Sequence, residues 1–198
     1  ITNMDSPLGS AVGNSLEVIE SVEILKGKTS GDLWTVCREL SCRMLMLAGI
    51  GDRDECGRLV DEAVKSGEAL KRFEMMVKLQ GGDVSYIEDT SKFRKASFSR
   101  EVYAPADGYI THMDSEKIGL TAVLLGAGRE KKEDNINHAA GIMIAAKAGD
   151  FVKRGELLAT LFADDESRLD GAESRYLFAV SIGDKKPAEQ PMILDYID

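Results

Sequence analysis

The stretch from 104 to 162 constrains the fold most, because short apolar segments alternate there with turns built on glycine and aspartate. Glycine reaches positive φ at no steric cost and aspartate bonds its own backbone, so such pairs predict tight turns between strands. Two strand-turn-strand halves are predicted, 104–113 and 141–162, folded as a compact sandwiched β module. The predicted turns lie at 105–108, 147–150 and 153–155.

A helix is predicted between the two halves, over 115–125. Ser115 can cap its first turn, and 126–129 closes it with two glycines. Gly119 weakens this prediction, because glycine inside a helix costs about 1 kcal/mol relative to alanine. After the second half, 166–177 has mixed helical character.

Before residue 82 the apolar residues recur every three or four positions, which is typical of amphipathic helices. The first of four predicted helices starts at Asn14, with Glu17 at the capping-box spacing, and ends at Gly27. The second covers 31–48, the third starts near Asp52, and the fourth follows Gly67. The second helix is expected to bury Leu33, Cys37, Leu40, Met44 and Leu47.

These elements predict an α+β fold that is part of an α/β domain: a helical layer followed by a β-rich, hammerhead or barrel-sandwich-like C-terminal module. The predicted boundaries are 1–82 for the helical portion, 83–96 for a linker and 97–198 for the module. Residues 1–4 have the character of a strand end, and 192–194 that of a short final strand. Because nothing upstream could pair with 1–4, we interpret the chain as a piece of a longer polypeptide.

The composition argues against several classes of partner. A net charge of -9 disfavours binding to a nucleic-acid backbone. Three cysteines without CxxC spacing predict neither a disulfide framework nor a zinc site. No apolar run approaches the ~20 residues of a membrane helix, so the cytoplasm is the expected compartment.

The sequence offers few candidates for chemistry. We interpret 126–129 as a helix end, because a phosphate loop follows a strand and opens a helix. His112 is expected to be packed or hydrogen-bonded in a strand, and His138 to be hydrogen-bonded in a loop. The acidic run 164–166 is expected to be a solvated helix start and not a cation site. No catalytic or substrate-binding residue is therefore predicted.

Four blocks nevertheless resemble the pyrimidine nucleoside phosphorylases, the group that includes thymidine phosphorylase, and the likeness extends along the chain. They are Asp-Ser-Pro-Leu-Gly-Ser-Ala-Val-Gly-Asn-Ser-Leu-Glu-Val at 5–18, Ala-Pro-Ala-Asp-Gly at 104–108, Leu-Gly-Ala-Gly-Arg at 125–129 and Gly-Asp-Phe-Val-Lys-Arg-Gly at 149–155.

The resemblance implies that phosphate attacks C1′ of uridine or thymidine, releasing the base and a pentose 1-phosphate. It implies a homodimeric enzyme whose cleft lies between a helical and an α/β domain. The family's phosphate loop and base-binding residues have no counterpart in this sequence. The chain therefore corresponds to a carboxyl-terminal portion and is expected to be inactive alone.

The resemblance also implies a monovalent cation, usually potassium. Its ligands here would be the main-chain carbonyls of Leu8 and Ala11 and the carboxylate of Glu20. The alternative is that Glu20 binds no cation and is a solvated side chain on an ordinary helix face. In the isolated chain the site is expected to be empty, since other ligands belong to the rest of the enzyme.

A second hypothesis concerns the module at 104–162, which also resembles the barrel-sandwich pattern of biotinyl and lipoyl carriers. Such carriers modify a lysine at an exposed hairpin tip, typically between methionines. This chain has no Met-Lys-Met at the equivalent hairpin, and it inserts the helix 115–125. These departures favour a scaffold, with a carrier or binding module as the alternative.

Overall fold

The computed structural model describes residues 1–129 and 131–197. The chain divides into two compact units, and each is described here by itself. The helical unit contains Ile1–Thr2, Ile19–Phe93 and Met192–Asp198; the sheet unit contains Asn3–Val18 and Arg94–Pro191. Mixed helices and antiparallel sheets confirm the predicted α+β class. The predicted domain boundaries stay a prediction.

Helices form the helical unit, and the limits of the first four follow the predicted ones closely, whereas the fifth lies within the predicted linker 83–96. The first of these five helices begins in the sheet unit, and the other four lie wholly in the helical unit. Asp52 caps α3 by accepting a hydrogen bond from the Glu55 amide at 2.8 Å. α2 packs against α3, and α3 against α4. The helices are α1 (Ser15–Leu25), α2 (Gly31–Leu47), α3 (Arg53–Lys65), α4 (Glu68–Leu79) and α5 (Ser85–Glu88), followed by a 3₁₀ turn (Thr90–Lys92).

The predicted buried face of α2 is wrong. Leu40, Met44 and Leu47 are 54%, 63% and 89% exposed, and Cys37 is exposed as well. The buried positions lie on a different stripe of the helix: Val36, Glu39 and Cys42. Both stripes have helical periodicity, and periodicity alone does not tell which one meets a partner.

Charge pairing explains why a glutamate lies on the buried stripe of α2. Glu39 is 8% exposed and accepts hydrogen bonds from Arg43 and Arg53, each at 3.0 Å. Burial acts to raise the pKa of Glu39, but the hydrogen bonds from Arg53, Arg43 and Tyr196 outweigh it and leave the pKa lowered. Arg43 also stacks over the Tyr196 ring, 3.9 Å from its centroid.

Within the part of the chain that the structure describes, seven strands form two antiparallel sheets in the sheet unit. The first sheet has the order β1-β4-β6-β2 and the second has the order β5-β3-β7; they do not close into a barrel within the described residues. Both predicted strand-turn-strand halves are present. The strands are β1 (Ala11–Gly13), β2 (Phe98–Tyr103), β3 (Gly108–Met113), β4 (Gly141–Ile144), β5 (Phe151–Val152), β6 (Leu157–Ala163) and β7 (Val180–Gly183).

Two further helices, α6 (Ser115–Leu125) and α7 (Ser167–Ala179), pack against each other and contribute to the core of the sheet unit. The limits of α6 are those predicted, and Gly126 ends it in the left-handed conformation. The cap is Asp114 instead of Ser115, because the Asp114 carboxylate accepts from the Lys117 amide at 3.1 Å. The largest fully buried core side chains here include Ile110, Met113, Ile118, Leu125, Ile142, Leu161 and Tyr176.

The two ends of the chain meet in the helical unit. Thr2 and Ile193 form an isolated antiparallel bridge, and the Leu194 amide donates to the Ile1 carbonyl at 2.8 Å. The strand character predicted for 1–4 and 192–194 therefore reduces to one bridge, and the pairing partner of the first residues lies downstream. Among the described helices, none has the length and apolar character needed to cross a membrane.

Candidate functional site

The resemblance places two cation ligands in 7–13, a segment that we call the carbonyl loop. Pro7 and Gly9 are buried, and the loop ends in β1, at the edge of the four-stranded sheet. The Ile144 amide donates to the Ser10 carbonyl at 2.7 Å, and the register sets Ala11 opposite Met143. In an antiparallel ladder the residue beside a hydrogen-bonded pair turns its main-chain groups the other way. The Ala11 carbonyl therefore points away from β4.

A lysine from a distant turn contacts the carbonyl loop. Lys147 Nζ donates to the Gly9 carbonyl at 2.6 Å, across 138 positions of sequence. The Lys147 amide donates to an Asp150 carboxylate oxygen at 2.8 Å, and the Asp150 amide returns a bond to the Lys147 carbonyl at 3.0 Å. The turn 147–150 thus holds the lysine backbone while its ammonium binds the loop.

The start of α1 is tied to the segment that follows α6. Asn14 Nδ2 donates to the Ala127 carbonyl at 2.8 Å, and the Ser15 amide donates to the His138 carbonyl at 3.0 Å. Glu17 accepts from the Gly13 amide at 2.8 Å, one position before the residue that a capping box would use. The carbonyl loop is therefore fixed at its far end by contacts within the sheet unit.

A polar cluster around Asp164 anchors the segment after α6. Arg94 and the Asn137 amide group donate to one carboxylate oxygen at 2.6 and 2.9 Å, and the Ser97 amide donates to the other at 2.8 Å. The Arg94 hydrogen bond is the main reason that the pKa of Asp164 lies far below its usual range. Residues 164–166 lie exposed directly before α7, as predicted, and Asp164 in addition joins three parts of the sheet unit.

Two of the three predicted cation ligands belong to the same unit. Leu8, which is 41% exposed, and the buried Ala11 both belong to the carbonyl loop of the sheet unit. Glu20 lies on α1 within the helical unit. The three-residue site stays a prediction. Across 1–129 and 131–197, no group of three or more histidine, cysteine or acidic side chains could hold a metal ion.

The remaining candidates resolve as structural features. Gly126 caps α6, as predicted for the segment 126–129. His112 lies in a strand, as predicted, but its side chain is exposed on β3 and not packed. The main-chain carbonyl of His138 accepts a hydrogen bond from the first residue of α1. The turn at 147–150 was predicted from the sequence, whereas the contact of Lys147 with Gly9 was not. No local pattern signals a contact between residues so far apart.

Comparison with known proteins shows which family the chain resembles. Residues 109–183 match the model of the pyrimidine nucleoside phosphorylase C-terminal domain. A pyrimidine-nucleoside phosphorylase of Bacillus subtilis (strain 168) is 42% identical over 168 residues, which is 84% of this chain and 39% of the relative. The chain matches the carboxyl-terminal portion of the pyrimidine-nucleoside phosphorylase family.

Two other pyrimidine-nucleoside phosphorylases have a similar relationship to the chain. The protein of Geobacillus stearothermophilus is 37% identical over 177 residues, covering 89% of this chain and 41% of the relative. The protein of Staphylococcus aureus (strain USA300) is 36% identical over 185 residues, which is 93% of this chain and 42% of the relative. The chain spans about two fifths of the length of these relatives. The family-model match runs from β3 to the end of β7 and excludes the carbonyl loop.

Proposed function

We propose that this chain works as part of a longer pyrimidine-nucleoside phosphorylase, which converts phosphate and a uridine- or thymidine-type nucleoside to a free base and a pentose 1-phosphate. The supporting observation is the 42% identity to a pyrimidine-nucleoside phosphorylase over 84% of the chain. We also propose a cytoplasmic homodimer for the longer enzyme, as the resemblance implies.

The reaction makes clear what such an enzyme must supply. As the bond from C1′ to the base breaks, the sugar gains oxocarbenium character and the base leaves with negative charge. Cationic groups and hydroxyls that hold phosphate beside C1′, and donors that face the leaving base, would stabilise this charge separation. No set of side chains with these roles is predicted from the sequence of this chain, and we propose a scaffolding role for the sheet unit.

We further propose a potassium site that uses the carbonyls of Leu8 and Ala11 and the carboxylate of Glu20. Oxygen donors suit a hard cation, and the outward orientation of the Ala11 carbonyl from the edge strand fits a main-chain ligand. A bound monovalent cation would add fixed positive charge near an anionic substrate. The remaining ligands would come from the rest of the polypeptide.

The central experiment compares the longer polypeptide with this chain alone. Both are purified, mixed with uridine or thymidine, and assayed for free base with and without inorganic phosphate. The longer polypeptide is expected to release base only with phosphate, and this chain to release none. Phosphate-dependent turnover by this chain would contradict its proposed role, and an inactive longer polypeptide would contradict the proposed function.

The carrier hypothesis is separated by intact mass. A biotinyl or lipoyl carrier gains the mass of its group on one lysine in the cell. The turn lysine Lys147 already has its ammonium bonded to the Gly9 carbonyl, whereas a carrier lysine must be accessible. We expect the unmodified mass; an added biotin or lipoate would favour the carrier.

A further inference from the structure

A lysine from a distant part of the chain contacts the carbonyl loop, and the sequence of the loop does not predict this contact. Lys147 Nζ lies 2.6 Å from the Gly9 oxygen, in a partly buried position. An ammonium group is only a donor, and a hydrogen bond from a charged donor is about twice as strong as a neutral one. The contact therefore constrains the direction in which the Gly9 carbonyl points.

Two neighbouring carbonyls of the loop face donors of the sheet unit. Gly9 accepts from Lys147 Nζ, and Ser10 accepts from the Ile144 amide at 2.7 Å. The Ala11 carbonyl points the opposite way, because Ala11 lies opposite Met143 at the next position of the ladder. Gly9 and Ser10 lie between Leu8 and Ala11, so fixing these two carbonyls fixes the two peptide planes between the proposed cation ligands.

We propose that Lys147 is a positioning residue for potassium: it holds the carbonyl loop so that the carbonyls of Leu8 and Ala11 face the ion. This inference rests on the proposed function and on the cation site proposed with it. Lys147 does not touch the substrate in this proposal. It acts through the loop, by replacing a mobile solvent contact of the Gly9 carbonyl with a fixed one.

The proposal predicts the direction of the effect, because two consequences of removing the lysine oppose each other. A nearby ammonium repels a second cation, so loss of its charge alone would tighten potassium binding. Loss of positioning lets the loop carbonyls reorient, which weakens binding. A positioning role requires that the second effect be the larger.

The chain offers a matched control. Lys153 heads a turn of the same build: its amide donates to Glu156 at 2.9 Å and its carbonyl accepts from the Glu156 amide at 2.9 Å. Lys147 and Lys153 therefore occupy equivalent places in two similar turns. The Lys153 side chain is exposed, whereas Lys147 reaches the carbonyl loop.

The test uses Lys147→Met and Lys153→Met in the full-length polypeptide. Thermal unfolding is followed against potassium chloride, with choline chloride keeping the ionic strength constant. A ligand that binds only the folded state raises the unfolding temperature as its concentration rises. The rise gives the potassium midpoint, the concentration at which half of the folded protein has bound the ion. Lys147→Met is expected to raise this midpoint about tenfold, as the loss of a charge-assisted bond implies. Lys153→Met is expected to leave it unchanged.

Two results would overturn the inference: an unchanged or lowered potassium midpoint in Lys147→Met, or no potassium stabilisation of the unsubstituted protein. The base-release assay is separate, so either result leaves phosphorolysis itself standing. If Lys147→Met does not fold, Lys147→Gln keeps a shorter, uncharged donor at the same place. It is expected to change the midpoint in the same direction, and a fall would again contradict positioning.

Discussion

Asp164 shows how one side chain can join distant parts of the sheet unit. It accepts hydrogen bonds from Arg94, from Asn137 and from both the amide and the hydroxyl of Ser97. A carboxylate can accept all of these only while it is ionised, and they hold its pKa far below the usual value. Its contribution to stability is therefore pH-dependent.

Asp164→Asn is expected to lower the free energy of unfolding at pH 7 by about 1–3 kcal/mol, because charged hydrogen bonds are lost. The folded-state pKa lies below the unfolded one, so the contribution of Asp164 is present above about pH 4 and declines as pH falls further. Urea unfolding at several pH values checks this. The difference between the two proteins should shrink in acid, and a constant difference would contradict the assignment.

Asp184→Asn is the matched control, since Asp184 is exposed just after β7. A surface change of this kind is expected to stay within about 0.5 kcal/mol at every pH. An equal loss in both variants would mean that net charge, and not the Asp164 cluster, governs the response.

At the scale of elements, helix limits could be predicted from sequence more readily than helix faces. α6 starts and ends as predicted because both signals are local: a capping carboxylate or hydroxyl at 114–115 and Gly126 at the end. The limits of α2 were also predicted, but its buried stripe was not. The burial of Glu39 depends on Arg43, which lies four residues further along α2, and on Arg53 of α3, whose pairing exists only after the two helices have packed.

Short strands whose partners lie far away in the sequence were not predicted. β1 has three residues, and its partner β4 begins at Gly141. So few residues have no measurable alternation, and no strand was predicted there. The candidate site shares this limitation. Resemblance predicted Leu8 and Ala11, whereas the Lys147 contact depends on long-range folding.

Two glycines in the sheet unit are expected to respond oppositely to alanine. A Cβ on Gly119 in α6 would meet nothing within 4 Å, so Gly119→Ala should stabilise by about 0.5–1 kcal/mol. A Cβ on Gly141 would lie 2.4 Å from the Val12 carbonyl oxygen, where β1 and β4 approach closely. Gly141→Ala should therefore destabilise by about 1–3 kcal/mol.

Urea midpoints at constant m-value measure both glycine substitutions, and each serves as the control for the other. Because the expected signs are opposite, a general effect of added methyl groups is excluded. A Gly141→Ala variant as stable as the unsubstituted protein would contradict the close pairing of β1 with β4.

At the scale of the whole molecule, the two units differ in how well they bury their apolar residues. The core of the sheet unit includes some twenty buried side chains around α6 and α7. In the helical unit, α4 buries no residue, and several large apolar side chains are exposed. They include Leu40, Met44, Leu47, Ile50, Leu59, Met75, Met76 and Leu79. The helical unit thus presents apolar surface that a further polypeptide or a second copy would cover.

We therefore expect this chain alone to self-associate as its concentration rises. Leu40, Met44 and Leu47 follow one another at helical spacings of four and three, so they share one face of α2. Water released from such a contiguous apolar face favours association. Met44→Glu combined with Leu47→Glu should shift sedimentation velocity profiles towards monomer.

Phe178→Glu is the control for this substitution, because Phe178 is 76% exposed but lies on α7 of the sheet unit. If association depends on the exposed face of α2, Phe178→Glu should leave the profile of the chain unchanged. Monomeric sedimentation of the unsubstituted chain at all concentrations would contradict the expectation. An equal response to both variants would place the association elsewhere, since added charge alone would then explain it.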